Sequence, residues 1–391
     1  MGINFLVFVL RRLCKGDTIK IIYNDKEYLV GNFEATIIIK INNHKFIRKL
    51  FYAPSLALTE GYMEQDFEIT KGTFYTFTKL IIDNYNRFID KFSKSILYKL
   101  YLLVNPLFQL NFSFKSQKNV AHHYDLSDKL YDLFLDKNRQ YSCAYFENDY
   151  DTLEKAQINK MQRLAGKLHL EANDKVLDIG CGWGGLSRYF VENYDCFLKG
   201  ISLSKEQIKF CEEYKLSFPK SSNLNYALQD YRLEDNKYNK IVSVGMFEHV
   251  GKPFYATYFK KIHDLLEDDG IAVVHSIGNV SNPKVTAAFI RKYIFPGGYI
   301  PSLSEITPAI EKSGLIVSDI EVIRIHYAKT ISHWFKNFQN NMGEIKNLYD
   351  ERFVRMWEVY LNLSELSFIG GNNVIFQLVL TKKKDAFPIV R

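Results

Sequence analysis

Residues 176–185, Val176-Leu177-Asp178-Ile179-Gly180-Cys181-Gly182-Trp183-Gly184-Gly185, decide how this chain folds. A short apolar run closes at Asp178–Ile179, glycines follow at every second position, and a helix-like segment begins. Glycine lets the backbone turn tightly and pass close to a ligand, while a helix N-terminus offers free N–H groups. The pattern is that of a first strand-to-helix turn in a doubly wound sheet, holding a nucleotide-shaped ligand. Its spacing is Gly-x-Gly-x-Gly, not the Gly-x-Gly-x-x-Gly of dinucleotide sites. Read alone, the run also suits an ordinary glycine-rich turn.

The flanking sequence supports the sheet. A helix is expected over 153–168, and short β runs follow at 175–179, 196–203, 224–227, 241–244 and 271–276. Helical segments at about 185–193, 204–215 and 252–267 alternate with them, which predicts a parallel sheet with helices on both faces. Residues 279–315 interrupt the alternation, with turn signals at Asn282-Pro283 and Pro296-Gly297-Gly298. An insertion there would cover the carboxyl ends of the strands, where substrate binds in such folds. Residues 1–80 read as a smaller, β-rich N-terminal domain after a short helix. Its strands are expected at 18–23, 27–30, 36–41 and 45–51, with a helix over 54–68 broken at Gly61 and a strand or turn near Ile69. The division expected is 1–80, an amphipathic linker over 81–118, and a catalytic domain over 119–391.

The 391 residues are 47% hydrophobic, enough for a sizeable core. The five cysteines are scattered and show no Cys-x-x-Cys spacing, which argues for reduced thiols and against a zinc site or a disulfide frame. Charge is uneven: residues 1–120 carry 17 Lys/Arg against 10 Asp/Glu, whereas 121–391 carry 34 of each. The whole net charge of +7 therefore sits in the N-terminal third, suggesting an anionic lipid or nucleic-acid partner, or simply a lysine-rich solvated face. The apolar run 3–10 is too short to span a bilayer and is followed, not preceded, by Arg11-Arg12, so it does not read as a secretory signal. Residues 95–112 are interrupted by Lys99, Asn105 and Pro106 and do not read as a span either.

Six motifs stand in order: residues 141–146 (Tyr-Ser-Cys-Ala-Tyr-Phe), 180–184 (Gly-Cys-Gly-Trp-Gly), 200–204 (Gly-Ile-Ser-Leu-Ser), 244–251 (Val-Gly-Met-Phe-Glu-His-Val-Gly), 275–278 (His-Ser-Ile-Gly) and 294–298 (Ile-Phe-Pro-Gly-Gly). Together they resemble the cyclopropane-fatty-acyl-phospholipid and mycolic-acid cyclopropane synthases, which are class I S-adenosylmethionine-dependent methyltransferases. The resemblance runs from about Ala121 to Leu380, and the N-terminal segment looks like the extra domain of the phospholipid-acting members. It implies an α/β, Rossmann-like doubly wound catalytic domain. S-adenosylmethionine would be bound by Tyr124, Tyr141, Ser142, Gly180, Gly182, Ser202, Gln207, Gln229, Asp230 and Tyr231. The acidic residue that usually ends the second strand of such folds is missing here, and Ser202 and Gln207 would stand in for it. Cys143, Glu248, His275, Ile277 and Tyr327 match the residues that hold a bicarbonate ion acting as base, with no metal. Many relatives carry cysteine where this chain has Ser364.

The chemistry implied needs such a set. An isolated alkene is a weak nucleophile and must be held against the methyl sulfonium in near-attack geometry. Methyl transfer leaves a carbocation, so water must be excluded, and aromatic faces such as Phe146, Trp183, Phe247, Tyr327 or Trp334 can stabilise the charge. A base then removes a proton from the added methyl so that the ring closes. Taken singly, Cys143 also reads as a small buried hydrophobe, Glu248-His249 as charge compensation at a helix start, and His275 as a core histidine. The expected protein is cytoplasmic and peripheral on the inner face of an anionic phospholipid bilayer, with no nucleic-acid partner and a homodimer left open. Same-fold alternatives are methyl-branched or exomethylene lipid products and N-methylation of a small amine; a non-catalytic lipid-binding protein is the other class.

Overall fold

A computed structural model describes residues 2–13, 18–31, 34–92 and 126–387. In its N-terminal part β1 (Ile19–Tyr23), β2 (Lys26–Val30), β3 (Ile37–Ile41) and β4 (Phe67–Lys71) form a small sheet in the order β2-β1-β3-β4. Asn24 and Asp25 join β1 to β2 with φ of 50° and 59°, the left-handed backbone that a two-residue hairpin requires and that Asn and Asp tolerate. Ile19, Ile21, Ile37, Ile39 and Ile41 alternate along β1 and β3 and pack on Val7 and Leu10 of the helix Ile3–Leu13.

Residues 45–51, expected as a strand, lie instead in the helix His44–Tyr52. Phe46, Ile47 and Leu50 recur at helical spacing, Lys45 and Arg48 face solvent, and Asn43 caps the first turn by accepting from Lys45 N (3.0 Å). Nor does Gly61 break its helix, which runs unbroken over Pro54–Met63. A Cβ on Gly61 would lie 2.6 Å from the Phe46 ring, so glycine here serves a close approach between two helices. The helix Phe74–Phe92 crosses the boundary drawn at residue 80. Tyr124 and residues 95–112 lie outside the described residues, as does the linker beyond residue 92.

The larger sheet contains β5 (Lys175–Ile179), β6 (Phe197–Ser202), β7 (Leu224–Leu228), β8 (Tyr238–Val244), β9 (Leu266–Asn279), β10 (Ile316–Ile323) and β11 (Asn373–Thr381), in the order β10-β11-β9-β8-β5-β6-β7. This is the class I methyltransferase architecture, doubly wound and mixed rather than wholly parallel. β5 to β9 are mutually parallel, but β11 runs antiparallel to both β9 and β10. The reason is local. After β10 the chain forms three helices, Ile325–Asn340, Met342–Leu348 and Glu351–Ile369, without crossing back over the sheet. It re-enters from the carboxyl edge, so β11 must run the other way.

Strand order reverses between β5 and β8, which opens a crevice at their carboxyl ends. The expected insertion is shorter than 279–315, because Leu303–Ser313 is a regular helix with a Ser302/Glu305 capping box. Its Ile306, Ala309 and Ile310 pack with Phe259 and Ile262 of the helix Tyr255–Leu265. Only residues 280–301 remain as a cover. The N-terminal part docks on the last long helix: Tyr62 Oη donates to Glu358 Oε2 (2.8 Å), Arg352 pairs with Glu64 (2.6 Å), and Met63 and Phe74 join the catalytic core. Among the described residues no helix is long and apolar enough to cross a membrane.

Gly61→Ala is expected to destabilise the protein by about 1–3 kcal/mol, because the added Cβ would overlap the buried Phe46 ring and one of the two helices must shift. Urea unfolding checks this; an unchanged midpoint would mean that the two helices can separate at little cost.

Candidate active site

The glycine turn follows β5. Gly180, Gly182 and Gly184 adopt φ of 86°, 56° and 73°, conformations that side chains with a Cβ rarely take. A Cβ on Gly180 would also lie 2.8 Å from Met246 Cβ. Asp178 is buried below the turn and accepts from Ser187 Oγ (2.8 Å); burial lifts its carboxyl to about 6.

The cleft above this turn brings together Tyr141, Ser142, Gly180, Gly182, Ser202, Gln207, Gln229, Asp230 and Tyr231. Of the positions expected to hold S-adenosylmethionine, only Tyr124 lies outside the described residues. At the end of β6, Ser202 Oγ donates to Gln207 Oε1 (2.8 Å) and accepts from Ser204 N (3.2 Å). Asp230 holds Arg232 through both oxygens, from Nε at 2.9 Å and a terminal nitrogen at 2.6 Å. The Gln229 amide is engaged by Lys199 (3.2 Å) and Glu234 (2.8 Å).

A second cavity of about 440 Å³ adjoins the first, and Tyr141, Ser142, Gly245 and His249 line both. It gathers Cys143, Glu248, His275, Ile277 and Tyr327 at one place, although they come from separate segments of the chain. Apolar and aromatic side chains form most of the remaining wall, including Phe295 and Tyr299 of the cover and Tyr360 and Phe368 of the last helix. Ser364 lines it too, as does Ser55 from the N-terminal part. Of the aromatic residues singled out earlier, Tyr327 lines this cavity and Trp183 the cleft. Phe146, Phe247 and Trp334 are buried in the packed cores beneath.

The polar groups here are buried and largely uncharged. Glu248 Oε1 accepts from Ile277 N (2.6 Å), and its Oε2 is buried with no partner among the described residues. Burial raises its carboxyl to about 7, against the pull of the Ile277 N–H and nearby Ser276. His275 is held neutral, lowered to about 3 by burial and by the charges of Lys160 and Lys167. Burial likewise keeps Cys143 a thiol, and lowers His249 to about 4. No three His, Cys, Asp or Glu side chains gather as metal ligands among the described residues.

Two residues at the floor escaped the reading of the sequence. Gln157 Nε2 donates to the carbonyls of Gln140 (3.2 Å) and Ser142 (3.0 Å), while Lys160 Nζ donates to Gln140 Oε1 and to Ser142 Oγ (3.0 Å). Burial lowers Lys160 to about 8. The signal was present: along the helix Leu153–Leu168 these polar residues fall on the stripe otherwise formed by Leu153, Ala156, Met161, Leu164 and Leu168. A lysine on an apolar stripe needs a buried polar purpose.

Comparison with known proteins places this geometry. Residues 113–378 match the sequence model of the family described as mycolic acid cyclopropane synthetase. The chain is 34% identical to the cyclopropane-fatty-acyl-phospholipid synthase of Escherichia coli K12 over 351 residues, covering 90% of this chain and 89% of that one. It is 38% identical over 270 residues to a probable fatty acid methyltransferase of Pseudomonas putida, covering 67% of this chain and 68% of that one. Among solved structures, mycolic acid cyclopropane synthase CmaA1 complexed with SAH and CTAB matches at 33% identity and a TM-score of 0.65, covering 68% of this chain and 97% of that one.

The buried carboxyl generates a pH-dependent test. Folded, Glu248 keeps its proton up to about pH 7; unfolded, it loses it in the ordinary carboxylate range. The native state binds the extra proton in between, so this group's stabilisation is lost as pH rises through that window. Glu248→Gln is uncharged throughout and retains an oxygen for the Ile277 N–H. Between pH 5 and 8, wild type should lose about 3 kcal/mol relative to this variant in urea unfolding. Parallel pH profiles would show that Glu248 titrates normally.

Proposed function

The chain belongs to the mycolic acid cyclopropane synthetase family, and on that premise we propose that it transfers a methylene unit from S-adenosylmethionine to the cis double bond of an unsaturated acyl chain in a membrane phospholipid, closing a cyclopropane ring. The observation that carries this reading is the junction of the glycine-turn cleft with the apolar cavity through Tyr141 and Ser142. A donor held in the first can reach an alkene lying in the second.

The alkene attacks the methyl carbon of the co-substrate, leaving S-adenosylhomocysteine and a carbocation on the acyl chain. The apolar wall excludes the water that would trap this cation as an alcohol, and the rings of Tyr327 and Tyr360 offer electron-rich faces nearby. Loss of a proton from the added methyl closes the ring. Bicarbonate, when bound, supplies a small, untethered base for that proton. The residues fit such an anion: Glu248 Oε2 and His275 Nε2 are buried without partners among the described residues, and a protonated carboxyl, an imidazole N–H and the Cys143 thiol are donors. Cys143, Glu248, His275 and Tyr327 would hold it, while Ile277 contributes through the N–H that orients Glu248.

Docking on an anionic bilayer, peripheral to the inner face of the cytoplasmic membrane, is part of the same reading. The helix His44–Tyr52 exposes Lys45 and Arg48, carries no acidic residue, and leads through an exposed Tyr52 to Ser55 on the cavity wall. Each such charge contributes about 1 kcal/mol near an anionic surface, so a few suffice for reversible binding.

The test is acyl-chain mass analysis after incubating the protein with S-adenosylmethionine and vesicles of a cis-monoenoyl phospholipid. The expected product is heavier by one CH2 and resists hydrogenation. A product heavier by CH2 that takes up hydrogen would indicate an exomethylene lipid. Unchanged lipid with S-adenosylmethionine bound would overturn the choice of acceptor and turn attention to small amines.

A further inference from the structure

β11 is an apolar strand, Asn-Val-Ile-Phe-Gln-Leu-Val-Leu-Thr, with one glutamine at its centre. Gln377 is fully buried and pairs in register with His275 on β9, so the two side chains stand on the same face of the sheet. Gln377 Nε2 lies 3.1 Å from His275 Nδ1. With the amide nitrogen facing the ring, Gln377 donates and Nδ1 accepts, which puts the single imidazole proton on Nε2; Gln377 Oε1 is buried without a partner among the described residues. That Nε2 is buried, without a partner among the described residues, on a residue that lines the second cavity.

We propose that Gln377 is a positioning residue that fixes His275 in its Nε2–H tautomer, so that the cavity is offered an imidazole donor rather than an acceptor. The functional half of this inference rests on the reading of the cavity as an anion and alkene site; the tautomer itself does not. A neutral glutamine suits the task where a carboxylate does not. A carboxylate at this position would accept a hydrogen bond from Nδ1–H, either leaving a bare Nε2 lone pair toward the cavity or stabilising the doubly protonated imidazolium. The neighbouring charges already oppose that outcome. Burial, with the charges of Lys160 and Lys167, holds His275 neutral, and Glu321, in register with Gln377 on β10, is committed to Arg163 and Lys167.

The experiment is a long-range 1H–15N correlation spectrum of the 15N-labelled full-length protein near neutral pH, with His275 assigned by its loss in His275→Asn. Wild type should show an acceptor-type Nδ1 and a protonated Nε2. In Gln377→Glu the two signals should exchange or merge toward imidazolium, and Gln377→Leu should show a mixture of tautomers. With vesicle substrate, kcat of Gln377→Glu should fall roughly a hundredfold, the cost of removing one preorganised donor. Its KM for S-adenosylmethionine should stay unchanged, because Gln377 does not line that cleft. A protonated Nδ1 in wild type would overturn the proposal, and so would an unchanged spectrum in both variants. The tautomer is read on the protein alone, so a failed search for the lipid product would leave this result standing and overturn only the reading of the substrate.

Discussion

Lys160 and Gln157 spend their hydrogen bonds on Gln140 and Ser142, and the rest of the site depends on that anchorage. The segment they hold is the wall between two cavities: Tyr141 and Ser142 line both, and Cys143 begins the second. If it moved, the methyl donor and the acceptor would no longer share a boundary. Unpaired, a buried ammonium would cost several kcal/mol; here the cost is offset by fixed acceptors on the loop it must immobilise. The packing around it follows the same logic, with Tyr141 bonded to Tyr360 (2.6 Å) and Ala144 N to Thr330 Oγ1 (3.0 Å). The loop is thus pinned to the helix below and to two helices above.

The helices between β10 and β11 supply the other half. Because they stay at the carboxyl edge, the final strand runs antiparallel, and the first and last of them, Ile325–Asn340 and Glu351–Ile369, wall the second cavity. That reversal brings Gln377 beside His275. Burial holds His275 and Cys143 neutral and raises the Glu248 carboxyl to about 7, so that it keeps its proton well above the ordinary carboxylate range. A largely apolar cavity in which the carboxyl is held toward its protonated form suits a transient cation better than one with a fixed carboxylate, which would risk trapping it.

Much of this was legible in the sequence because its signals are local. The Gly-x-Gly-x-Gly turn, the alternation of strands and helices after residue 150, and the order of six short motifs led to the fold and to residues that do converge. Other features were not legible, for physical reasons. Residues 45–51 have strand-like composition but helical spacing, and only the Asn43 cap and the buried Phe46 reveal which period wins. Gly61 reads as a breaker until Phe46 is seen against it. Lys160 and Gln377 carry no motif; each is a polar residue in an apolar context whose partner lies on another element. The direction of β11 depends on where three helices pack, which no local pattern encodes.

The proposed chemistry puts methyl transfer and proton removal at one boundary between the cavities. The decisive experiment uses S-adenosylmethionine carrying three deuteriums on its methyl group and vesicles of a cis-monoenoyl phospholipid. Mass analysis of the acyl chain should show two of the three deuteriums retained in a product that resists hydrogenation, the third having left as the proton that closes the ring. Retention of all three, as in a methyl branch, would contradict the claim, because the group beside Glu248 and His275 would then not take its proton from the transferred methyl.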